Sequence, residues 1–268
     1  MTRTAIKGVL TLSAFFTLLF CLGVGGPSTR ETLSIRAAIN ADNLEALRQA
    51  LNAGADPNLL DEYELPPLVY AVNSGSEAIV LELLSKGAKA DPARAARSPL
   101  EAAFEARHPN AGIACNVKLV TILLEHGADA NGAFPTSGER PVQRALELGD
   151  VACLNVVTKF GGDWRVTSPR GKSALEAALQ GASTTNNPLL IDRVIALGAD
   201  VNGTVSRRGG PLIQAIGDHN VPAIKQLLAL GADPCLRGGK YGLSPWVVAI
   251  GTRRRDIVDL LAPYHCTH

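Results

Sequence analysis

The sequence contains the octapeptide LNAGADPN at residues 51–58, and close copies follow as LEHGADAN (124–131), IALGADVN (195–202) and LALGADPC (228–235). Weaker copies are LSKGAKAD (84–91) and TKFGGDW (158–164). Their glycines stand at 54, 87, 127, 161, 198 and 231, so the spacings are 33, 40, 34, 37 and 33 residues. A motif that recurs at a nearly constant interval of this length predicts a stack of similar structural units.

Each of these glycines is expected to end a helix. Before Gly87, for example, the residues Ile79, Val80, Leu83 and Leu84 are apolar at helical spacing. The residue just past a helix C-terminus commonly adopts the left-handed conformation, which glycine accepts without steric cost. A shorter helix is predicted upstream of each one, because a proline or small residue stands near its start and proline fits the first helical turn. These upstream segments are LPPLVYAV (65–72), RSPLEAAF (97–104), ERPVQRAL (139–146), KSALEAAL (172–179), GGPLIQAI (209–216) and LSPWVVAI (243–250).

The two motifs together resemble those of the ankyrin-repeat family. The upstream segments are similar to its Thr-Pro-Leu-His-x-Ala-Ala signature, and Gly-Ala-Asp-x-Asn is similar to its junction between helix and hairpin. Gly138, Gly171 and Gly242 stand where the family has a hairpin-turn glycine, and Gly75 and Gly149 where it has one between its two helices. The resemblance implies an all-α solenoid of about seven helix-turn-helix repeats with hairpin loops. The family's signature histidine, which ties neighbouring loops together, is replaced here by Val69, Glu101, Gln143, Glu176, Ile213 and Val247.

The predicted organisation is an N-terminal segment, 1–26, followed by one repeat domain, 27–268. Its repeats are assigned to about 29–58, 59–91, 92–131, 132–164, 165–202, 203–235 and 236–268. The first repeat lacks most of a hairpin and is expected to cap the stack. The last carries Arg253, Arg254 and Arg255, and we expect it to present the polar outer face of a terminal cap. The extra length of the third and fifth repeats is assigned to the inter-helix stretches 107–116 and 181–188.

The N-terminal segment has the composition of an export signal. Arg3 and Lys7 precede an apolar run at 8–24, and small residues follow it. The run has 17 residues, by 24 − 8 + 1, which lies between a long signal peptide and a short membrane span. A signal peptide cleaved near Gly23 to Gly25 and an uncleaved membrane anchor therefore both remain open, beside the alternative of a buried helix. Either form of export predicts a location in the periplasm or on the inner membrane, facing the periplasm.

The four cysteines beyond that segment are even in number, which permits disulfides in an exported chain. We predict a bridge between Cys235 and Cys266, because neighbouring layers of a stack bring equivalent positions close together. Cys153 falls inside a helix and is expected to be a small buried apolar residue.

Catalytic, metal and cofactor motifs are not recognised in this sequence. The histidines at 108, 126, 219, 265 and 268 have no partners at the spacing of a zinc site or a catalytic triad. The phosphate-binding glycine loop and the Gly-x-Ser-x-Gly motif do not occur. The Asp of each Gly-Ala-Asp recurs with the period, which favours a role in the turn. We therefore expect a protein that is not an enzyme and binds no cofactor or metal.

The charge of the predicted hairpin tips changes sign along the chain. The first tip is acidic, with Asp61, Glu62 and Glu64 around Tyr63, whereas the stretches 165–172, 203–210 and 235–242 contain no acidic residue. We call their basic residues the cationic strip and name Trp164 and Tyr241 as its aromatic anchors. The basic residues of the strip are Arg165, Arg170, Lys172, Arg207, Arg208, Arg237 and Lys240.

This strip predicts a protein partner with an acidic surface, although scattered solvated charges are the alternative. Hydrophobic residues make up 46% of the chain and charged residues 19%, and the net charge of +1 gives no general attraction for nucleic acid or membrane. We therefore expect a monomeric protein-protein interaction module. A narrower alternative is an immunity protein that inhibits a toxic enzyme acting in the periplasm, and another is an accessory factor in oxidative-stress defence.

Overall fold

The computed structural model describes residues 27–108, 112–169, 171–185, 187–203, 209–264 and 266. In these residues fourteen α-helices follow one another as seven pairs, and a 3-10 turn, Ala262–Tyr264, ends the series. The pairs are α1 Pro27–Asn40 and α2 Leu44–Asn52; α3 Pro67–Ser74 and α4 Glu77–Ser85; α5 Pro99–Phe104 and α6 Val117–Glu125; α7 Pro141–Glu147 and α8 Val151–Lys159; α9 Ala174–Thr185 and α10 Leu189–Ala196; α11 Pro211–Gly217 and α12 Val221–Ala229; α13 Pro245–Gly251 and α14 Arg255–Leu261.

The pairs stack in chain order. The first helix of each pair packs against the first helix of the next, from α1 on α3 through to α11 on α13. One continuous apolar core runs through the stack from Ile35 to Leu261. The prediction of an all-α solenoid of about seven repeats is confirmed. No helix of the described residues is long and apolar enough to cross a membrane, and the apolar run at 8–24 lies outside those residues.

The repeated glycine ends the second helix of its pair as the sequence predicts. At Gly87 the backbone φ is +89°, in the left-handed region, directly after the last turn of α4. This conformation turns the amides of Gly87 and Ala88 back onto the carbonyls of Leu84 and Leu83, at 3.0 and 2.9 Å. The helix end is thereby closed by its own backbone, and the chain leaves towards the hairpin.

The two insertions take different structures. Between α5 and α6, two short strands pair antiparallel, β1 Ala106–His108 with β2 Gly112–Ala114. The assignment of 181–188 to a loop between helices is wrong for most of its length, because α9 continues through Thr185. A Cβ atom placed on Gly181 would lie 2.0 Å from the carbonyl oxygen of Leu146, so only glycine lets this longer helix lie against the preceding repeat.

An asparagine bridges alternate pairs of repeats. The side chain of Asn131 donates to the carbonyl of Gly161 at 2.9 Å and accepts from the amide of Asp163 at 2.7 Å. Asn58 and Asn202 make the same two bonds to the repeats that follow them. We call this two-bond contact the asparagine clamp. It joins repeats 1 and 2, 3 and 4, and 5 and 6.

The equivalent position in the other repeats carries a different residue. Asp91, Arg165 and Cys235 stand four residues after their glycines, where the clamp asparagine stands elsewhere. The pKa of Asp91 is raised, first by its partial burial and then by the charge of Asp129 in the next repeat. The junction between repeats 2 and 3 therefore sets two carboxylates near each other, where the three clamped junctions have two hydrogen bonds.

Replacing Asp91 by Asn should stabilise the protein at neutral pH. The new amide can donate to the carbonyl of Gly127 and accept from the amide of Asp129, and each hydrogen bond contributes about 0.5–1.5 kcal/mol. A pKa raised by folding means that ionised Asp91 destabilises the native state, and this penalty is relieved as the pH falls through the carboxylate range. The increase in the free energy of unfolding that Asp91→Asn gives, measured by urea unfolding, should therefore be smaller at acidic than at neutral pH. Asp218→Asn, the same change at an exposed position, should have little effect at either pH, and an equal gain there would contradict the clamp.

Replacing Gly181 by Ala should destabilise the stack by about 1–3 kcal/mol, the usual cost of inserting a methyl group into closely packed structure. The added carbon must displace α9 from the Leu146 carbonyl. Gly217 provides the matched control, because it also lies in a helix but has open space around its Cβ position. Gly217→Ala should be neutral or stabilise by up to about 1 kcal/mol. Thermal unfolding of both variants decides the matter, and similar midpoints would show that α9 is not tightly held.

Candidate protein-binding surface

The hairpins that connect successive repeats begin with the Asp of the Gly-Ala-Asp motif. The carboxylate of Asp233 accepts a hydrogen bond from the amide of Cys235 at 2.8 Å. Asp56, Asp129, Asp163 and Asp200 accept in the same way from the amide two residues further on. This is an Asx turn, in which the side chain fixes the direction of the following backbone. The predicted role of the Asp in the turn is confirmed.

The first hairpin tip is less acidic at its surface than the sequence suggests. The side chain of Asp61 is only 1% exposed, since it accepts from the Tyr70 hydroxyl and pairs with Arg36 at 3.3 Å. Burial and the hydrogen bond from its hydroxyl to Asp61 together raise the pKa of Tyr70 to about 12. Burial acts against ionisation of Asp61, but its hydrogen bonds, the one from Tyr70 first, lower its pKa overall. Asp61 therefore ties the tip to α1, and Glu62 and Glu64 are the exposed acids.

Two of the residues that replace the signature histidine tie hairpins together. Gln143 is buried and donates to the carbonyl of Val166, in the next hairpin, at 3.0 Å. Glu101 is also buried and accepts a hydrogen bond from the hydroxyl of Thr136 in the next hairpin. The middle hairpins are thus held by side chains that differ from the family signature.

The cationic strip begins at the hairpin after α8. The Arg165 side chain is largely exposed and lies over the Trp164 ring, with 5.0 Å from the guanidinium carbon to the ring centroid. Arg165 also pairs with Asp163 at 3.6 Å, which offsets part of its charge. Trp164 is only partly exposed and lies next to Gly198 of the following repeat. Trp164 therefore packs within the stack, and it exposes less ring surface than an aromatic anchor for a partner would need.

Further along the strip, Lys172 is partly buried and donates to the side-chain oxygen of Gln180. Arg170, Arg207 and Arg208 lie outside the described residues. Their place in the strip stays a prediction.

The last hairpin carries a further exposed part of the strip. Its two arms meet at a bridge between Gly238 and Leu243, and Arg237 and Lys240 are both exposed. Tyr241 is 76% exposed, and the ammonium of Lys240 lies 5.3 Å from its ring centroid. Leu236 and Leu243 add exposed apolar surface to the same hairpin. Sequence reasoning missed these two leucines, because their positions in the motif do not show whether a neighbour covers them.

Two disulfides reinforce the stack in the structure. One joins Cys235, at the start of the last hairpin, to Cys266, after the last helix, with the Cα atoms 5.3 Å apart. The other joins Cys115 to Cys153 across repeats 3 and 4, with a Cα separation of 6.5 Å. The expectation for Cys153 needs correction, since it is fully buried but bonded to a cysteine 38 residues away. In the described part of the chain, the one grouping with metal-ligand geometry is Cys115, Asp150 and Cys153, and its two sulfurs are already joined to each other.

The extension of α9 also creates a cleft of about 670 Å³ beside α10 and α12. Amide and hydroxyl side chains line much of it, and Asn220 donates to the Ser183 hydroxyl at 2.6 Å across two repeats. The cleft has few charged groups. The cleft is therefore a candidate surface of a different character from the strip.

Helix pairs stacked in one layer each, with exposed hairpins between them in the described part of the chain, define a solenoid repeat protein. The profile of the family described as "Ankyrin repeats (3 copies)" matches residues 34–131. The ankyrin repeat domain of Bcl-3, a member of the IkappaB protein family, superimposes with a TM-score of 0.70 at 20% identity, over 85% of this chain and 97% of that one. The chain therefore contains ankyrin repeats, and its fold is that of an ankyrin-repeat domain.

Curated relatives are similar over much of this chain but are far longer. The "Ankyrin repeat and KH domain-containing protein mask-1" of Caenorhabditis elegans is 25% identical over 82% of this chain, which is 9% of that protein. The "Phosphocholine transferase AnkX" of Legionella pneumophila is 23% identical over 72% of this chain and 20% of its own length. The chain thus spans a fifth or less of these two relatives. Ankyrin repeats typically form non-catalytic interaction modules, although AnkX is named as an enzyme.

Proposed function

We propose that the last hairpins of this ankyrin-repeat domain bind an acidic segment of a partner protein. Ankyrin repeats are protein-protein interaction modules. The proposal rests on the last hairpin, where an exposed tyrosine and two exposed leucines stand beside Arg237 and Lys240, with no acidic residue between 235 and 242.

The composition of this hairpin suits a binding site better than a solvated edge. Aromatic side chains flanked by basic residues supply apolar contact area together with long-range attraction. Arg165 and Lys172 contribute less to this attraction, because Asp163 and Gln180 already engage them. We therefore place the centre of the partner contact on the hairpin 235–243, with Arg165 at its margin.

We also propose that the repeat domain acts outside the cytoplasm, in the periplasm or anchored to the inner membrane. Two disulfides support this, because such bonds persist in oxidising compartments. The apolar run at 8–24, preceded by two basic residues, supports it independently. An inhibitor of a toxic periplasmic enzyme and an oxidative-stress factor would both be exported binding modules, and they differ only in the partner.

Reversing the charges of the last hairpin should slow partner capture. The double variant Arg237→Glu, Lys240→Glu is compared with Lys118→Glu, Lys225→Glu, which makes the same change in net charge on the outer helices α6 and α12. Each immobilised protein is exposed to periplasmic extract, and proteins retained by the wild type are identified. We expect the hairpin variant to retain much less of the protein that the wild type captures. Its association with that protein should be at least about tenfold slower, and the association rate should depend less on salt concentration, whereas the outer-helix variant should behave like the wild type. Equal retention by both variants would show that the strip is only a solvated edge.

A reporter fused to the C-terminus tests the compartment. A reporter enzyme that is active only outside the cytoplasm should give signal on the full chain, and removing residues 1–26 should abolish that signal. Activity of a cytoplasm-only reporter on the same full-length fusion would overturn the proposal.

A further inference from the structure

The last repeat leaves uncovered a face that every other repeat buries against its successor. One apolar position near the end of the first-helix motif is at most 2% exposed in repeats 1 to 6. These residues are Ile39, Val72, Phe104, Leu146, Leu179 and Ile216. Their equivalent in repeat 7 is Ile250, which is 48% exposed although it is as large and as apolar as the others.

Two more positions repeat this contrast. Val258 on α14 corresponds to Leu47, Val80, Val120, Leu154, Ile191 and Ile224, which are at most 1% exposed. Trp246 on α13 corresponds to Ile35, Leu68, Leu100, Val142, Leu175 and Leu212, which are at most 3% exposed. Val258 and Trp246 are both only partly buried. We call Trp246, Ile250 and Val258 the terminal face. The expectation of a polar cap at this end holds only in part, because arginines 253–255 are exposed as expected but stand beside an apolar surface that stays uncovered.

The opposite end of the stack is built differently. On α2, the position that turns towards a preceding repeat is occupied by Ala46. Repeats 2, 3 and 5 have Ile79, Leu119 and Leu190 there, and repeats 4 and 6 have the smaller Cys153 and Ala223. Glu45 and Gln49 are exposed on the same helix. The described side chains of α2 at this end are thus small or polar and match the terminal face poorly, so copies of the chain joined head to tail through α2 would leave the apolar surface poorly filled.

The edge of the terminal face carries one basic and one acidic residue, Arg255 and Asp259, so it could pair with the same edge of a second copy. Asp259 is equivalent to Arg48 and Asp192, which bond across their junctions to Glu82 and Gln226 of the next repeat. Asp259 therefore lies on the side that faces a following repeat, and Arg255 stands one turn before it. Two antiparallel copies of α14 would set Arg255 of each near Asp259 of the other.

From these observations we propose that two copies of this chain pack their terminal faces together about a two-fold axis. The contact continues the interface that already joins the repeats, with the same residue positions on both sides. A self-complementary patch satisfies the geometry of a symmetric dimer, in which the same surface is used by both subunits. The protein is then a dimer with its binding hairpins in two copies, which departs from the monomer expected from the sequence.

Light scattering on a size-exclusion column tests the dimer with the full chain. The wild type should elute with twice the mass of one chain at high concentration, and Ile250→Glu should elute with the mass of one chain. Leu189→Glu is the matched control, since Leu189 is an exposed leucine on α10 and lies away from the terminal face. It should keep the double mass, and so should the conservative variant Ile250→Val.

Circular dichroism of Ile250→Glu should match the wild type, because the side chain is already half exposed, and Val258→Glu serves as a second variant if the first fails to fold. A wild type with the mass of one chain at every concentration would overturn the proposal. So would a dimer that folded Ile250→Glu and Val258→Glu variants both retain, since association would then run through another surface, such as the segment 1–26.

Discussion

A single asparagine amide that spans two repeats sets the register of this stack. Apolar burial holds the helix pairs together but has no direction, so it tolerates small slips between layers. Asn131 adds two directed bonds, one donated to Gly161 and one accepted from Asp163, and both act on the turn that starts the next hairpin. The clamp therefore positions the hairpin relative to its neighbour. Its presence at alternate junctions divides the solenoid into three clamped pairs of repeats and a final repeat.

The unclamped junctions carry the features that distinguish this protein. At Asp91 a carboxylate near Asp129 of the next repeat stands in the place of the clamp asparagine. Between repeats 4 and 5, Arg165 of the cationic strip occupies the clamp position. Gln143 and Trp164 make the contacts across this junction. Between repeats 6 and 7, Cys235 occupies the clamp position and forms a disulfide with Cys266. This bond lies directly beside the exposed hairpin that is proposed to bind the partner. At the junctions of Arg165 and Cys235, the clamp asparagine is thus replaced by a residue with another role, and other contacts nearby join the repeats.

The period, the glycines and the helix pairs could all be predicted from the sequence, because each depends on short-range backbone preferences. The continuation of α9 to Thr185 could not, since ALQGASTT allows helix or loop and the contact of Gly181 with the Leu146 carbonyl favours the helix. The partner of Cys153 lies in another layer and depends on the stacking itself. The basic residues of the cationic strip could be identified from the sequence. The exposure of Leu236, Leu243 and Ile250 could not, because it depends on whether a neighbouring repeat covers each side chain.

Amide hydrogen exchange tests the role of the clamp most directly. The amides of Lys89, Asp163 and Asp233 donate to clamp asparagines and should exchange slowly. The equivalent amides of Asp129 and Asp200 follow Asp91 and Arg165, which replace the asparagine, and should exchange quickly. Asn131→Ala should accelerate exchange at Asp163 by about tenfold or more, the loss of roughly one hydrogen bond, and leave Lys89 unchanged. Equal protection of Asp129 and Asp163 in the wild type would contradict the account.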